Sequence, residues 1–513
     1  MRQRIPSHRK LFPNPLPALL RLSFTGSVMA CNQAIAAILP PKDLVMENLG
    51  STAAKNWVLA LASAASFMVS LDSQVVMLAL STIRADLGAS IETLEWTVNA
   101  YILSFAVLLL SGSALGDRFG RRRMFIAGIA LFIAASAACA LAPNIGWLIA
   151  ARALQGAGGA LVMPLAMALL SAAFPRQERG KALGIFTGVT GFALIAGPIV
   201  GGAIAGGLAW QWIFWINVPV GLVTIPLVRR RIAESFGPSA RLDIGGLLLV
   251  TAAAFGVVWG LMHGNDAGWT SVEVVTALGA GLILAIAFIV FERRAGAPMV
   301  PMRLFRSRGF AAGNAASFPY YAAIYGTLFF LAQFLQNAQG HGPFAAGLRL
   351  LPWTATLFVV APIAGALVNR VGERPLVVIG LILQTIGMAW IALIAAPDLA
   401  YAKLALPLIV AGCGGSMAMP ALQNAVLSAV APTEIGTASG TFNMLRFLGG
   451  VFGIALLVAV FAATGSVTSP AAFNTGFVAA IDVSAALSLS GAIAAMWLPA
   501  RREVALTPVK QDA

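Results

Sequence analysis

The sequence predicts an all-α integral membrane protein with 14 transmembrane helices, built as two six-helix bundles plus two inserted helices. Three observations carry this. Of 513 residues, 59% are hydrophobic and only 10% charged, against roughly 25% charged in an average soluble domain. From Trp57 onward, apolar runs that reach the roughly 20 residues needed to cross a bilayer recur along the chain. Arginines collect in alternate loops between those runs, as positive residues do on the cytoplasmic side of a membrane. A net charge of +14 would suggest nucleic acid in a soluble protein, but here the charge is spread over short loops and reads as a topology signal, so no nucleic-acid partner is expected.

Taken in order, residues 1–55 stand apart: Arg2, Arg4, Arg9, Lys10 and Arg21 accompany six prolines, and the apolar patch at 22–39 is too short and polar to span. They are expected to be a disordered cytoplasmic extension, with an over-long reading whose real start is Met46 as the alternative. The apolar runs lie near 57–80, 94–115, 121–142, 147–171, 182–206, 211–229, 243–263, 272–291, 310–336, 346–368, 375–396, 402–427, 437–463 and 477–498. Basic clusters follow the second run (Arg118, Arg121, Arg122, Arg123), the fourth (Arg176, Arg179, Lys181), the sixth (Arg229, Arg230, Arg231, Arg241) and the eighth (Arg293, Arg294, Arg303, Arg306, Arg308). Arg370 and Arg374 follow the tenth, and Arg501 and Arg502 the last. Both termini are therefore expected in the cytoplasm, of a chain in the inner (cytoplasmic) membrane. The expected domains are a first bundle at 57–230, an inserted pair at 243–291, a second bundle at 310–498 and a cytoplasmic tail at 499–513.

The run at 182–206 contains Thr190-Gly-Phe-Ala-Leu-Ile-Ala-Gly197-Pro198-Ile-Val-Gly201-Gly202. In a soluble helix each glycine would cost about 1 kcal/mol and an interior proline about 3 kcal/mol. Lipid penalises unpaired backbone groups enough to keep such a segment helical. A bent membrane helix is expected, with Gly197, Gly201 and Gly202 forming a face that a neighbouring helix can approach closely.

An internal repeat supports two bundles. Gly116-Asp117-Arg118-Phe-Gly120-Arg121-Arg122 follows the second run, and a degenerate copy, Gly365-Ala-Leu-Val-Asn369-Arg370-Val-Gly372-Glu373-Arg374, follows the tenth. Matching loops in two halves imply a pseudo-twofold axis. Asp117 is expected to accept hydrogen bonds that break when one face of the protein opens, so Asp117, Arg118, Gly120, Arg121 and Arg122, with Asn369 and Arg370, form a candidate gating loop.

Ionisable groups inside apolar runs are the functional candidates. Asp72 lies deep in the first run, where a lipid-surrounded carboxyl is cheapest when neutral and exchanges its proton as water reaches it. It is a candidate proton carrier; the alternative is a permanent pair within the bundle. Arg152, in Arg152-Ala-Leu-Gln155-Gly156, is its natural partner because a guanidinium stays charged, or else it bonds helix carbonyls. Asp482 is either a second titrating group or a solvated helix end. Glu92 and Glu95 read as helix-start charges. Gln74, Trp96, Tyr101, Gln155, Asn217, Tyr321 and Arg446 are candidates for lining a substrate cavity, most of the aromatics being equally explicable as packing and Arg446 as structural. The chain has no Walker loop, zinc-protease motif or paired Cys-x-x-Cys. Cys31, Cys139 and Cys413 lack metal spacing. No cofactor and no metal are expected, and the energy source is an ion gradient or the substrate itself.

From Trp57 to Leu498 these residues resemble the fourteen-span drug:proton antiporters of the major facilitator superfamily, the EmrB/QacA type. Leu71-Asp72 with Ala79-Leu80 looks like the first-span motif, the Gly116–Arg122 stretch the loop motif of the whole superfamily, and Arg152 with Gln155-Gly156 the fourth-span motif. Gly197-Pro198 with Gly201-Gly202 resembles the fifth-span antiporter motif, and Trp210-Gln-Trp212-Ile-Phe214-Trp-Ile-Asn217-Val-Pro219-Val-Gly221 is the most specific subfamily signature. Gln74, Met77, Ser81, Ser113 and Asn369 depart from the family pattern. The resemblance implies the major facilitator fold, alternating access, and export of amphipathic compounds in exchange for protons, with Asp72 and Arg152 in coupling and the fifth-span motif guarding against leak. The expected function is thus a proton-coupled multidrug exporter, not an enzyme, working as a monomer in the lipid bilayer on small hydrophobic or cationic substrates. The alternatives are an exporter dedicated to one endogenous metabolite, and a non-transporting membrane sensor or scaffold.

Overall fold

The computed structural model describes residues 52–237, 242–431 and 434–500. The chain divides into two units, Met1–Asn56 and Trp57–Ala513, and the described residues of the first, 52–56, are helical. Apart from 52–55 and 499–500, the extension read at 1–55, the alternative start at Met46, Cys31 and the tail at 499–513 lie outside the described residues.

Among the described residues, 14 helices are long and apolar enough to cross a membrane. They are α1 (Thr52–Leu87), α2 (Thr93–Phe119), α3 (Arg121–Ala140), α4 (Ile145–Ala173), α5 (Lys181–Gly207), α6 (Trp212–Arg231) and α7 (Ile244–Ala267). The remainder are α8 (Val272–Arg294), α9 (Arg308–Ala338), α10 (Pro343–Val368), α11 (Glu373–Ile394), α12 (Tyr401–Leu427), α13 (Ile435–Thr464) and α14 (Pro470–Ala495). The expected number is met, and each expected run overlaps one helix. Most helices outrun their apolar stretch at one end or both, because capping, rather than hydropathy, sets where they begin. Ser90 accepts from the Thr93 amide at 3.2 Å while the Thr93 hydroxyl accepts from the Ser90 amide at 3.1 Å, a capping box that starts α2. Asn144 caps α4 through the Trp147 amide at 2.9 Å, and Asp243 caps α7 through the Gly246 amide at 2.7 Å. Ser469 and Pro470 begin α14 earlier than its apolar run suggests.

Two spans are broken where proline withholds a backbone donor. The helical turn Trp212–Trp215 gives way to Asn217–Arg231, with Pro219 in the first turn of the second piece. Span α10 is assembled from Pro343–Arg349, Leu351–Thr354 and Thr356–Val371, with Pro352 near the junction. Pro198, by contrast, sits within the uninterrupted helix of α5.

Packing repeats with an offset of eight spans. In the first half α2 packs on α4, and α3 packs on α4 and α6; in the second α10 packs on α12, and α11 packs on α12 and α14. The halves meet where α2 lies against α13 and α5 against α10, one pair being the other with its members exchanged, as a pseudo-twofold requires. The matched loops share their backbone geometry as well: Gly120 joins α2 to α3 at φ +103°, and Gly372 joins α10 to α11 at φ +85°, a region in which a side chain would be strained. The inserted helices α7 and α8 pack on each other, and α7 also touches α2 and α13. Burial separates these roles: 78% of the most apolar window of α9 and 67% of that of α1 is inside the protein, against 17% for α8.

The seam between α5 and α10 is tight at one end only. Helix α5 packs on the Pro343–Arg349 piece but scarcely on Thr356–Val371, and a methyl group on Gly184, Gly188 or Gly191 would meet nothing within 4 Å. At the closed end the Ser81 hydroxyl donates to Gln336 at 2.5 Å, tying α1 to α9, and the Trp210 indole donates to Asp86 at 2.7 Å. The seam opens toward the end that carries the Arg118–Arg123 and Arg370–Arg374 loops.

Candidate functional site

The site grows from α1. Asp72 is 2% exposed, and three side chains donate to its carboxylate: Arg152 Nη1 to Oδ2 at 2.5 Å, and Gln155 Nε2 and Asn217 Nδ2 to Oδ1 at 2.8 Å each. Arg152 and Gln155 are three residues apart on α4 and therefore share a face, which lets Arg152 Nη1 also donate to Gln155 Oε1 at 2.6 Å. The guanidinium Nε donates to the Thr97 carbonyl at 2.9 Å, and the Tyr101 ring lies under it at 4.2 Å from the centroid. From α3 the Ser136 hydroxyl accepts from Gln155 Nε2 at 2.6 Å and Asn217 Nδ2 at 3.1 Å, and the Cys139 thiol points at Gln155 Oε1 at 3.7 Å. Five helices thus converge on one carboxylate. An ion pair taken out of water is stable only when further hydrogen bonds satisfy its remaining donors and acceptors; here Asp72 accepts three and Arg152 donates three. Every contact to Asp72 is a donated one, so a proton on the carboxyl removes the negative charge that those donors, Arg152 above all, are arranged around.

One turn along α1 lies a close helix contact. A methyl group on Gly197 of α5 would fall 2.2 Å from Gln74 Cβ, and one on Gly201 would fall 2.7 Å from the Val75 carbonyl oxygen. On the other face of α5, Gly202 meets the Pro343 carbonyl and Gly347 of α10 meets the Pro198 carbonyl with no more room. The expected small-residue face therefore serves two neighbours: it is the layer through which α1 touches α5 and α5 touches α10.

Between the halves lies a cavity of about 890 Å³ counting its open mouth, walled by Gln74 and Met77 of α1, Leu194 of α5, Tyr321 and Tyr325 of α9, Trp353 of α10 and Arg446 of α13. Of the residues expected to line it, Gln74, Tyr321 and Arg446 do. Tyr101, Gln155 and Asn217 belong instead to the Asp72 network, and Trp96 packs on Phe255 of α7 with ring centroids 5.6 Å apart. Asp482 is exposed in the middle of α14, whose buried face carries Phe477, Ile481, Ser484 and Ser488. It stands neither at the cavity nor at the Asp72 network. Glu95, near the start of α2 as expected, is fully buried and accepts from Asn99 at 2.6 Å.

At the basic end Asp117 bonds Arg121 of its own loop at 2.8 Å. That loop is held by the segment after α6. Glu234 accepts from the Arg122 amide at 2.8 Å and lies 3.7 and 3.6 Å from the Arg122 and Arg123 side chains, the Arg121 amide donates to the Ser235 carbonyl at 2.9 Å, and Gly237 packs against the Asp117 carboxylate. Arg118 lies over the Phe119 ring, Arg370 is exposed, and the side chain of Asn369 is outside the description. In the second copy Glu373 accepts from Asn424 of α12 at 2.7 Å. Sequence reasoning missed Glu234, Ser136, Cys139 and the Thr97 carbonyl. Only Glu234 left a signal, as an acidic residue within a run of arginines.

The family model described as Major Facilitator Superfamily matches residues 62–454. The multidrug resistance protein Stp of Mycobacterium tuberculosis is 35% identical over 404 residues, covering 78% of this chain and 75% of that protein. The cephamycin export protein CmcT of Amycolatopsis lactamdurans is 36% identical over 428 residues, covering 82% and 87%. The tetracenomycin C resistance and export protein of Streptomyces glaucescens is 35% identical over 393 residues, covering 76% and 73%. Among solved structures, a POT family transporter in complex with a thioalcohol-conjugated peptide superposes with a TM-score of 0.64 at 15% identity, over 84% of this chain and 94% of that one. A D-xylose–proton symporter superposes with a TM-score of 0.61 at 16% identity, over 86% and 98%. The exchanged packing of α2 on α13 and α5 on α10, the two glycine-turned loops and these matches agree, and the chain belongs to the Major Facilitator Superfamily.

Proposed function

We propose that the chain is a proton-coupled exporter of small amphipathic compounds across the cytoplasmic membrane, working by alternating access. The observation that carries this reading is the sealed Asp72–Arg152 pair on α1 and α4, one turn from the glycine contacts through which α1 touches α5. The relatives named for drug resistance and antibiotic export support the direction of transport.

In this mechanism the basic loops and both termini lie in the cytoplasm, so the cavity opens inward and admits substrate from the cytoplasm or the inner leaflet. Substrate release on the far side requires the Pro343–Gly347 end of the seam to part. Protonation of Asp72 removes the charge that holds Arg152, so that contact weakens and Arg152 is left with Gln155, Thr97 and the Tyr101 ring as its other partners. The resulting shift of α1 passes through Gln74 and Val75 to Gly197 and Gly201, and from the far face of α5 to α10. Asp72 is thus the proton site and α5 the rod that connects it to the gate. The bundles at 57–230 and 310–498 rock about this layer, with 243–291 as a peripheral pair, and one chain suffices. Asp482 takes no part in coupling. Inverted membrane vesicles test the reading: energised uptake of ethidium, Nile red or 2-naphthoate that collapses with a protonophore supports it, and uptake of none of them, or uptake indifferent to the protonophore, overturns it.

A further inference from the structure

Arg446 and Arg152 are built alike with one part missing. Each guanidinium lies over a tyrosine ring, Arg152 at 4.2 Å from the Tyr101 centroid and Arg446 at 4.7 Å from that of Tyr321. Arg152 also holds a carboxylate, an amide oxygen and a backbone carbonyl. Arg446 rests on Tyr321 and Phe447 with the Tyr325 phenol beside it, its Nε has no hydrogen-bond partner among the described residues, and it faces the cavity. Among the described residues no carboxylate lines that cavity. An arginine withdrawn from water calls for an anion, and aromatic faces answer only part of that demand. The vacant position beside Arg446 opens onto the space where a guest would sit.

We propose that the cavity takes anionic amphipaths, an aromatic body bearing a carboxylate, sulfonate or acidic phenol, whose charge pairs with Arg446 and the Tyr325 hydroxyl while the body packs on Trp353 and Tyr321. The inference rests on the exporter reading in that it assigns the substrate class of the same cavity, and it turns the sequence-based expectation of cationic guests around: a lipophilic cation meets a fixed positive charge there and no negative one. Arg446 fixes the sign of the guest, and the rings fix its shape.

The test uses three molecules with one ring system: 2-naphthoate, its neutral methyl ester and 2-naphthyltrimethylammonium. Binding of each to the purified full-length chain is measured in detergent by equilibrium dialysis with radiolabelled probe, without a gradient, so that proton coupling plays no part. Wild type is expected to bind 2-naphthoate at least about tenfold more tightly than the ammonium compound, as expected for a desolvated charge pair, with the ester between them. Arg446→Gln abolishes the preference, and Arg446→Lys preserves its sign. Equal affinities, tighter binding of the cation, binding of none of the three, or a preference that survives Arg446→Gln would each overturn the assignment. The wild-type comparison stands even where a variant fails to fold. Binding of 2-naphthoate without proton-driven flux in proteoliposomes keeps this inference and removes the exporter reading alone.

Discussion

Gly201 sits so close to Val75 that a methyl group on it would lie 2.7 Å from the Val75 carbonyl oxygen. Backbone cannot yield there without separating α1 from α5. Gly201→Ala is therefore expected to destabilise the purified protein by about 1–3 kcal/mol, the usual penalty for overpacking, and to slow transport more than it weakens substrate binding. Gly184→Ala on the same helix meets nothing within 4 Å and is the matched control. Thermal melting and counterflow rates in proteoliposomes read both effects.

Asp72 and Arg152 are expected to be strongly non-additive. Removing either partner alone, as Asp72→Ala or Arg152→Ala, leaves an uncompensated buried charge and should cost about 3–5 kcal/mol. The double variant leaves none, and its loss should fall well below the sum of the two. Unfolding of the purified protein by titrated SDS, run as a double-mutant cycle, measures the difference.

Glu234 clasps the Gly116–Arg122 loop through the Arg122 amide at 2.8 Å. Glu234→Gln keeps an acceptor but removes the charge facing Arg122 and Arg123. Because the site is partly open to solvent, a loss of no more than about 1 kcal/mol is expected. The melting temperature should fall by a few degrees at low salt, and the gap to wild type should narrow as salt rises.

His341, in the turn between α9 and α10, is held below the ordinary histidine range by partial burial and by the Arg349 guanidinium. The folded turn therefore favours the neutral ring. Its contribution to stability is complete above the unperturbed value of about 6.5 and is lost as pH falls from there through the lowered folded value. Hydrogen exchange at the His341 amide, which donates to the Leu335 carbonyl at 3.0 Å, should accelerate below about pH 6.5 beyond the intrinsic pH effect. His341→Gln should abolish that excess.

Much of this was legible in the sequence, and the rest was hidden for physical reasons. Spans could be counted because lipid demands long apolar helices, and Asp72, Arg152 and Gln155 could be picked out because charge is rare within such helices. The glycines of α5 were visible because no soluble helix would tolerate them. Ser136 and the Thr97 carbonyl left no trace, since a serine among alanines and a backbone oxygen have no pattern. Asp482 shows the opposite limit: near the start of its apolar run it reads as a titrating group or a helix end, but α14 begins at Pro470, so the residue lies mid-helix, and it faces outward. Trp96 was ambiguous in the same way, because sequence cannot tell a cavity wall from the contact with Phe255. The breaks in α6 and α10 follow from Pro219 and Pro352, although hydropathy reads straight through both.

Proton release from proteoliposomes tests the central claim most directly. With a pH gradient imposed, ethidium, Nile red or 2-naphthoate is added to wild type and to Asp72→Asn, which keeps the shape of the side chain and an acceptor for Arg152 but cannot carry the proton. The account predicts substrate-dependent release from wild type and none from Asp72→Asn; release of equal size from both would place the proton site elsewhere and contradict it.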